Sequence, residues 1–400
     1  MKAAQQNVQT VICPACGLLC DDVLVKSAGN VLKVQKNGCA KSVAFFEQAN
    51  LNAQPTIAGK AASLKDAIAE AARLLKQSKS PLLDGLSTDI AGFRALFSLA
   101  KKTNANLRHA NATSIARNMR VLQSAGWQAT TLTEVKNHAD VIVCFGTDIV
   151  AHNPRFFERF VDVDGMFVNA KNRQVIVLGN SQNSTHIKSD ALEAAWRLPC
   201  RADDLPSVTI ALRALVAGKA LKATEIAGIK VAELQKLAEI LKAAKYAVLT
   251  WVAKDLDFQH AELTIQNITE TVALLNQTTR AASLALGGSD GDTGANYANT
   301  WLSGFVLSDD VVEHDAVIWV NSFSADKSPP NTPQPLIVFG NAGCKFTIAP
   351  AVFIPVATPA LDCGGQMFRV DGSVTLPLKK LRESKLPTLS EVASQIEALL

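Results

Sequence analysis

The sequence predicts an α/β protein with two related, doubly wound, mostly parallel-sheet units and a small N-terminal β subdomain that binds a metal. Three observations support this. Segments with apolar residues at helical spacing alternate with short apolar strands. Residues 138–143 are weakly echoed by residues 313–318, about 175 positions later, which indicates an internal duplication. Three cysteines lie close together near the N-terminus, and a fourth, Cys39, follows them.

The first half of the chain contains the β subdomain and one α/β unit. Valine-rich strands over residues 10–36 surround a polar turn, which is typical of a small β unit. Apolar residues at helical spacing predict helices over 63–76 and about 90–102. Buried strands are expected at 81–83, 141–145 and 174–178.

The second half repeats this order. Helices are expected at 231–244, 258–275 and from Leu389, and strands at 246–251, 316–320, 335–339 and 352–356. These patterns predict a β subdomain over 1–55, α/β domains over 56–200 and 201–345, and a segment 346–400 that returns to the N-terminal part. Ligands of open parallel sheets bind beyond the carboxyl ends of strands, so Gly146 and Asn321 mark candidate crevice positions.

Composition excludes several classes of protein. Forty Lys and Arg against 36 Asp and Glu leave a net charge of +4 without a basic stripe, so we expect no nucleic-acid partner. No apolar run reaches the roughly 18 residues of a membrane span. The start of the chain lacks the apolar region of a secretory signal, so a cytoplasmic protein with reduced cysteines is expected.

The N-terminal cysteines predict a metal site. Cys13, Cys16, Cys20 and Cys39 have the spacing C-x2-C-x3-C-x18-C. Nearby thiolates on a loop and one from a distant segment can complete a four-sulfur shell, either of a [4Fe–4S] cluster or of Zn. The gap of three residues is unlike the paired C-x2-C units of a zinc ribbon. The alternative is four buried free thiols.

The cysteine string, residues 13–22 (CPACGLLCDD), resembles the start of the B-type subunit of formylmethanofuran dehydrogenase, a member of the molybdopterin oxidoreductase superfamily. Residues 131–143, 294–304 and 367–372 continue the resemblance in the family's order. It implies that the four cysteines hold a [4Fe–4S] cluster. It also implies that two pterin-guanine dinucleotides hold tungsten or molybdenum, with a Cys or selenocysteine followed by His and Gly at the metal.

The chain departs from this family pattern at the redox centre. Ungapped counting places Ser114 at the metal-ligand position, Ile115 at the His and Ala116 at the Gly. The family's Gly-Cys-Asn-Pro becomes Gly146-Thr147-Asp148-Ile149, and its His-Pro-Arg becomes Asn153-Pro154-Arg155. Isoleucine cannot transfer protons, and Asp148 would repel a pyrophosphate. We therefore expect no catalytic residue in this chain and no molybdenum or tungsten pterin.

The resemblance is to the form of the family found in methylotrophic bacteria. It implies a non-redox scaffold subunit of a formyltransferase/hydrolase complex, which moves a formyl group from formyl-tetrahydromethanopterin to a methylofuran-type carrier and releases formate. The implied partners are the A-, C- and D-type subunits, of which the A type hydrolyses and the D type transfers. The alternative is an active tungsten or molybdenum dehydrogenase with Ser114 as metal ligand. A stand-alone iron–sulfur electron carrier is least favoured.

Other motifs have weaker implications. The glycine-rich run over residues 287–294 can cradle a phosphate, but it lacks a Lys and carries two acids, which favours a flexible turn. His109 is expected on the surface or in core packing, and His152 in a solvated loop or against an anion near Arg155. Trp301 is expected to anchor packing.

Overall fold

The computed structural model describes residues 7–179, 189–310 and 312–400. The chain forms two compact units. Unit 1 comprises residues 1–112 and 288–400, and unit 2 comprises residues 113–287. Unit 1 is therefore built from two distant stretches of the chain, and unit 2 is the continuous stretch between them.

The N-terminal stretch of unit 1 begins with an antiparallel sheet of three strands, β1 (Asn7–Val11), β2 (Val23–Ala28) and β3 (Val31–Lys36), and helix α1 (Ala40–Phe46) follows it. This agrees with the predicted small β unit. The rest of the stretch forms β4 (Thr56–Ile57), β5 (Lys60–Ala61), α2 (Leu64–Gln77), β6 (Pro81–Ser87), α3 (Ile90–Thr103) and β7 (Asn106–His109).

Unit 2 contains helices and mostly buried strands that largely alternate along the chain. Its helices are α4 (Ala112–Ser124, whose first residue belongs to unit 1), α5 (Leu132–His138), α6 (Ile149–His152), α7 (Phe156–Phe160), α8 (Asp190–Glu193), α9 (Leu205–Val216), α10 (Val231–Ala243) and α11 (Ala261–Leu275). Its strands are β8 (Val141–Phe145), β9 (Gln174–Leu178), β10 (Trp196–Leu198), β11 (Glu225–Ile226), β12 (Ile229–Lys230), β13 (Ala247–Val252) and β14 (Ala281–Leu286).

The C-terminal stretch completes unit 1. It contains α12 (Asp292–Ser303), β15 (Ala316–Asn321), β16 (Leu336–Gly340), β17 (Val352–Pro355), β18 (Gly365–Phe368), β19 (Thr375–Leu378) and α13 (Leu389–Glu397). Helix ends follow local chemistry. Asp89 accepts from the Gly92 amide at the start of α3 (3.0 Å), and Thr388 accepts from the Glu391 amide at the start of α13 (3.2 Å).

Each unit has one large, mainly parallel sheet with a point at which the strand order reverses. The order in unit 1 is β5-β4-β17-β16-β15-β6-β7, in which only β4 and β5 run antiparallel to their neighbours. The order in unit 2 is β10-β9-β8-β13-β14, and every pair is parallel. From β6 and β15 the chain proceeds to opposite sides of the first sheet, and from β8 and β13 to opposite sides of the second. These are the switch points of doubly wound sheets.

The sequence echo has a structural counterpart at these switch points. Asp140 precedes β8, and its carboxylate accepts from the amides of Lys245 (2.8 Å) and Tyr246 (2.9 Å) ahead of β13. Asp315 precedes β15, and its carboxylate accepts from the amides of Lys79 (2.7 Å) and Ser80 (3.1 Å) ahead of β6. One aspartate thus joins the starts of the two switch-point strands in each unit, as expected of related units.

The predicted boundaries at 55/56, 200/201 and 345/346 do not coincide with the observed units. Strands β8 and β13 fall in different predicted domains, yet they are neighbours in one sheet. Strand β6 likewise pairs with β15, far along the chain. Pairing between distant segments therefore decides the division. None of the helices within the described residues is long and apolar enough to cross a membrane.

Candidate functional site

The three clustered cysteines lie on a buried loop of unit 1. Cys13, Cys16 and Cys20 are each about 5% exposed (5%, 6% and 5%), and Cys39 is partly exposed immediately before α1. The Cys13 amide donates to the Cys20 carbonyl (2.9 Å), which closes the loop. Burial raises the pKa of Cys13 well above its usual range, and the neighbouring Cys16, Cys20 and Cys39 add to this rise. Burial, followed by Cys20, raises the pKa of Cys16 to about 11.

Close backbone contacts hold this cysteine loop in place. The Val370 amide donates to the Gly17 carbonyl (2.8 Å). Gly288 has a φ of +72°, and a Cβ atom added to it would lie 2.7 Å from the Gly17 Cα atom. Such a contact requires glycine at position 288. The glycine-rich run thus supports the cysteine loop.

The four cysteine thiols are donors that suit a thiophilic metal, but their side chains are not arranged as a metal-binding shell in this structure. Four thiols that affect each other's pKa values must lie in one neighbourhood, and four thiolates complete either a Zn or an iron–sulfur shell. However, no three or more His, Cys, Asp or Glu side chains in the part of the chain that the structure describes are placed to hold a metal ion. The metal at Cys13, Cys16, Cys20 and Cys39 therefore stays a prediction.

The glycine-rich run is an anchored turn. Asp290 forms an ion pair with Lys327, and the Asn111 amide group donates to Ser289 Oγ and to Asp292 Oδ2 (3.0 Å each). His109 is buried, and its Nδ1 atom accepts a hydrogen bond from the backbone N–H of Asn111 (2.9 Å). His109 therefore belongs to packing, as predicted, whereas side-chain bonds fix a turn that was expected to be flexible.

The switch point of unit 1 leaves buried polar atoms without partners. Ser87 and Asn321 are register partners at the ends of β6 and β15, and each is 1% exposed. Neither Ser87 Oγ nor Asn321 Nδ2 has a hydrogen-bond partner within the described chain. Buried polar groups are normally hydrogen-bonded, so a small polar ligand or a water molecule would fit here. Asn321 was a predicted crevice residue.

At the switch point of unit 2, groups that follow β8 and β13 bind one another. Asp255 follows β13, and its Oδ2 atom accepts from the Thr147 hydroxyl (2.6 Å) and the Asp148 amide (3.1 Å) after β8. Its Oδ1 atom contacts His152 Nε2 at 2.6 Å. His152, expected in a solvated loop or against an anion, therefore binds a carboxylate of the same chain. Asp148 accepts from the Ala151 amide (3.0 Å) at the start of α6.

Other side chains of unit 2 close the same strand ends. A Cβ atom added to Gly146 would lie 2.3 Å from Leu205 Cδ1 and 3.3 Å from Leu256 Cδ2. Asn153, which follows α6, is fully buried, and its side chain donates to the carbonyl of Gly287 (2.8 Å) and accepts from the amide of Gly287 (2.9 Å), the residue directly after β14. The predicted crevice residue Gly146 thus faces leucine side chains, and Asn153 clamps the backbone.

The residues at the family's redox positions lie on α4. Ser114 is half-buried, whereas Ile115 and Ala116 are buried. The next residue, Arg117, donates to the Ala253 carbonyl (2.9 Å) and pairs with Asp257, so it holds the segment after β13. Ile115, Ala116 and Arg117 in the first turns of α4 therefore serve packing and loop attachment. Arg155 is buried and pairs with Glu158.

A pterin dinucleotide does not fit the switch point of unit 2. The hydrogen-bond donors there are already used by Asp255, and leucine side chains cover Gly146. Sequence reasoning missed Asp255, although a signal was present. The rule that strand ends meet at a switch point singles out the residues after β13 as much as those after β8.

Comparison with known proteins confirms the predicted resemblance. No protein-family model matches the sequence. The chain is 25% identical, over an alignment 421 positions long, to the B-type subunit of the tungsten-containing formylmethanofuran dehydrogenase 2 of Methanococcus maripaludis, with 96% of each chain covered. It is 24% identical to the B-type subunit of the formyltransferase/hydrolase complex Fhc of Methylorubrum extorquens, with 85% of this chain and 95% of that one covered.

Solved structures show the same fold. A crystal structure of the formyltransferase/hydrolase complex FhcABCD from Methylorubrum extorquens, in complex with methylofuran, contains a chain that superposes with a TM-score of 0.71 at 22% identity. The match covers 86% of this chain and 98% of that one. The acetylene hydratase of Pelobacter acetylenicus matches with a TM-score of 0.65 at 10% identity, covering 98% of this chain and 69% of that one. The α/β fold with parallel sheets is thus confirmed.

Proposed function

We propose that this chain is a non-redox scaffold, the B-type subunit of a formyltransferase/hydrolase complex in tetrahydromethanopterin-linked one-carbon metabolism. The complex would transfer a formyl group to a methylofuran-type carrier and release it as formate. The main support is the similarity of nearly the whole chain to B-type subunits, combined with the switch point of unit 2, which the chain fills with its own side chains. The first feature supports the family, and the second supports loss of redox chemistry.

The residues at the redox positions support the absence of a molybdenum or tungsten pterin. Ile115 is buried where the family has a proton-transferring His, and an isoleucine side chain has no titratable atom. Asp148 and Asp255 place two carboxyl groups beside the ends of β8 and β13. A pyrophosphate there would face like charges at short range, which is unfavourable in a partly buried environment.

Partner subunits are proposed from surface chemistry and from the relatives. Helix α12 exposes Trp301 (68%), Leu302 (41%) and the following Phe305 (73%). The Trp301 ring lies edge-on to Phe368 at 4.8 Å between centroids, so this predicted packing anchor is mostly exposed. Clustered exposed aromatic residues are typical of contact surfaces. A-, C- and D-type subunits are the proposed partners, because the similar Fhc chain is named as part of a complex.

We propose that Cys13, Cys16, Cys20 and Cys39 share one metal centre, a [4Fe–4S] cluster or Zn. The support is a shared neighbourhood, burial and the family spacing. Without a redox metal in the chain, the centre would be structural. Bound metal would lower the pKa values of thiols that burial otherwise raises, because only thiolates coordinate.

The experiment is metal and pterin analysis of the purified complex together with assays of both reactions. We expect formate release from the formylated carrier, no molybdenum or tungsten, and no extractable pterin. Iron or zinc should be stoichiometric with the chain. Stoichiometric pterin with tungsten or molybdenum, together with carbon dioxide reduction, would refute the scaffold function.

One observation favours the alternative, an active tungsten or molybdenum dehydrogenase with Ser114 as metal ligand. Ser87 Oγ and Asn321 Nδ2 in unit 1 have no partner within the described residues, and a bound ligand could satisfy them. Pterin extraction separates the two functions. Pterin is recovered if a pterin ligand binds Ser87 and Asn321, and none is recovered if a water molecule binds them.

A further inference from the structure

We propose that Asp255 is an internal anion whose carboxylate occupies the ligand position at the strand ends of unit 2, so that the chain itself closes this crevice. The inference concerns the stability and ligand binding of unit 2. It does not rest on the proposed function, and it would hold for a subunit of any activity.

The hydrogen-bond geometry is that of a bound oxyanion. Both carboxylate oxygens are used, one by the Thr147 hydroxyl (2.6 Å) and the Asp148 amide (3.1 Å), the other by His152 Nε2 (2.6 Å). Thr147 and Asp148 directly follow β8, His152 lies on the next helix, α6, and Asp255 follows β13 across the switch point. In open parallel sheets, this is the place where ligands bind. Here a side chain takes the ligand's place.

The charge state of Asp255 agrees with this role. Burial by itself would raise the pKa of Asp255, but the hydrogen bonds from His152 and Thr147 outweigh burial and lower it. The carboxylate is therefore ionised near neutral pH. A free anion would compete with a tethered one for the same donors, and tethering gives Asp255 the advantage of a high effective concentration.

Packing closes the remaining space. Gly146 lies against Leu205 and Leu256, both fully buried. A Cβ atom on Gly179, which follows β9, would lie 3.0 Å from the Gly146 Cα atom and 3.4 Å from Leu205 Cδ2. In nucleotide-binding sheets, glycines after strands let a phosphate approach the backbone. In unit 2 the corresponding space is taken by leucine side chains.

Unit 1 supplies an internal comparison. Asp140 and Asp315 occupy equivalent positions before β8 and β15, so Gly146 and Asn321, each six residues further on, are also equivalent. In unit 1 the equivalent strand ends leave Ser87 Oγ and Asn321 Nδ2 unpartnered within the described chain. Closure by a carboxylate and leucines is thus a property of unit 2 and does not follow from the shared fold.

The test is chemical rescue of Asp255→Ala in the full-length chain. The variant leaves the three donors facing a space of carboxylate size. We expect its thermal midpoint to fall by on the order of 5 °C in buffer free of carboxylates and phosphate. Sodium formate at about 100 mM should restore at least half of this loss, relative to sodium chloride of equal ionic strength. The wild type should respond equally to both salts, and inorganic phosphate should give it no extra stability.

Asp257→Ala is the matched control. Asp257 lies two residues further on, its side chain is 83% exposed and it pairs with Arg117, so its loss should be small and formate should not restore it. Asp255→Asn fills the space without the charge, and should lose stability that formate cannot restore. Wild-type stability of Asp255→Asn, or an Asp255→Ala variant indifferent to formate, would overturn the proposal. Stabilisation of the wild type by phosphate beyond sodium chloride would also overturn it, because the crevice would then be open.

Discussion

The contact between Gly288 and Gly17 allows a quantitative test of how the cysteine loop is held. In Gly288→Ala, the new Cβ atom would lie 2.7 Å from the Gly17 Cα atom and 3.2 Å from Val370 Cγ2. The φ of +72° costs an alanine roughly 1–2 kcal/mol. Forcing a methyl group into a closed backbone contact typically costs a further 1–3 kcal/mol. The expected total is therefore about 2–5 kcal/mol, part of it relieved by displacement of the cysteine loop.

Gly29→Ala is the matched control, since Gly29 has a φ of +61° and its added Cβ atom would meet nothing within 4 Å. It should lose only the backbone contribution. The assay is thermal unfolding of the full-length chain, with hydrogen exchange of residues 13–20 as the local measurement. Gly288→Ala should speed exchange of the Cys13 amide, which is bonded to the Cys20 carbonyl, and should lower the metal content. Equal stability losses and equal exchange in the two variants would refute the argument.

Two further predictions concern the metal and the buried carboxylate. Cys16→Ser should reduce the metal content and the yield of assembled complex, while the rate of formate release per assembled complex stays near that of the wild type. A lost rate in fully assembled complex would mean that the centre carries electrons. The pKa of Asp255 is lowered on folding, so its ionised form stabilises the fold above the unfolded value of about 3.9, and this contribution is lost as pH falls through the folded pKa. The stability gap between the wild type and Asp255→Asn, measured by urea unfolding, should be constant near neutrality and narrow below about pH 4. A gap independent of pH down to pH 2 would contradict this.

Local elements were predictable because their causes are local. The buried apolar runs of β8 and β9 match the predicted strands residue for residue. Helix α2 begins within one residue of its predicted start, because Ser63 accepts from the Asp66 amide (3.1 Å). Helix α9 escaped prediction. Its buried residues, such as Val208, Leu212 and Leu215, recur at helical spacing on one face, but the exposed Ile210 places an apolar residue on the opposite face and weakens the pattern.

The division into units was not predictable from local patterns. Each switch point pairs strands from distant segments, β6 with β15 and β8 with β13. The repeated order of helices and strands suggested two consecutive domains, whereas pairing inserts one unit within the other. The similarity between residues 138–143 and 313–318 indicates that two strands are alike, but it does not indicate which strand pairs with each of them. The partners of Asp140 and Asp315 became identifiable only from the structure.

The candidate site was predictable at the level of residue type and much less at the level of role. Cys13, Cys16, Cys20 and Cys39 could be grouped because a ligand set has a recognisable spacing. Asp148 was expected to repel a ligand. In the structure its carboxylate caps the start of α6, and its backbone N–H donates to the Asp255 carboxylate. No spacing rule identifies Asp255, because its partners Thr147 and His152 lie more than 100 residues earlier.

The two switch points bear on how the proposed scaffold could have lost a ligand of its sheets without unfolding. Removing a large anionic ligand from a sheet would leave hydrogen-bond donors unpaired, and each buried unpaired donor costs about 1–3 kcal/mol. At the ends of β8 and β13 in unit 2, this cost is avoided because Asp255 binds the Thr147 hydroxyl, the Asp148 amide and His152. At the ends of β6 and β15 in unit 1, Ser87 Oγ and Asn321 Nδ2 have no partner among the described residues. If unit 1 binds only water there, Ser87→Ala should be nearly neutral or stabilising in the full-length chain. If a ligand is held at this position, the same substitution should release it, and mass spectrometry of the extracted small molecules would detect the difference.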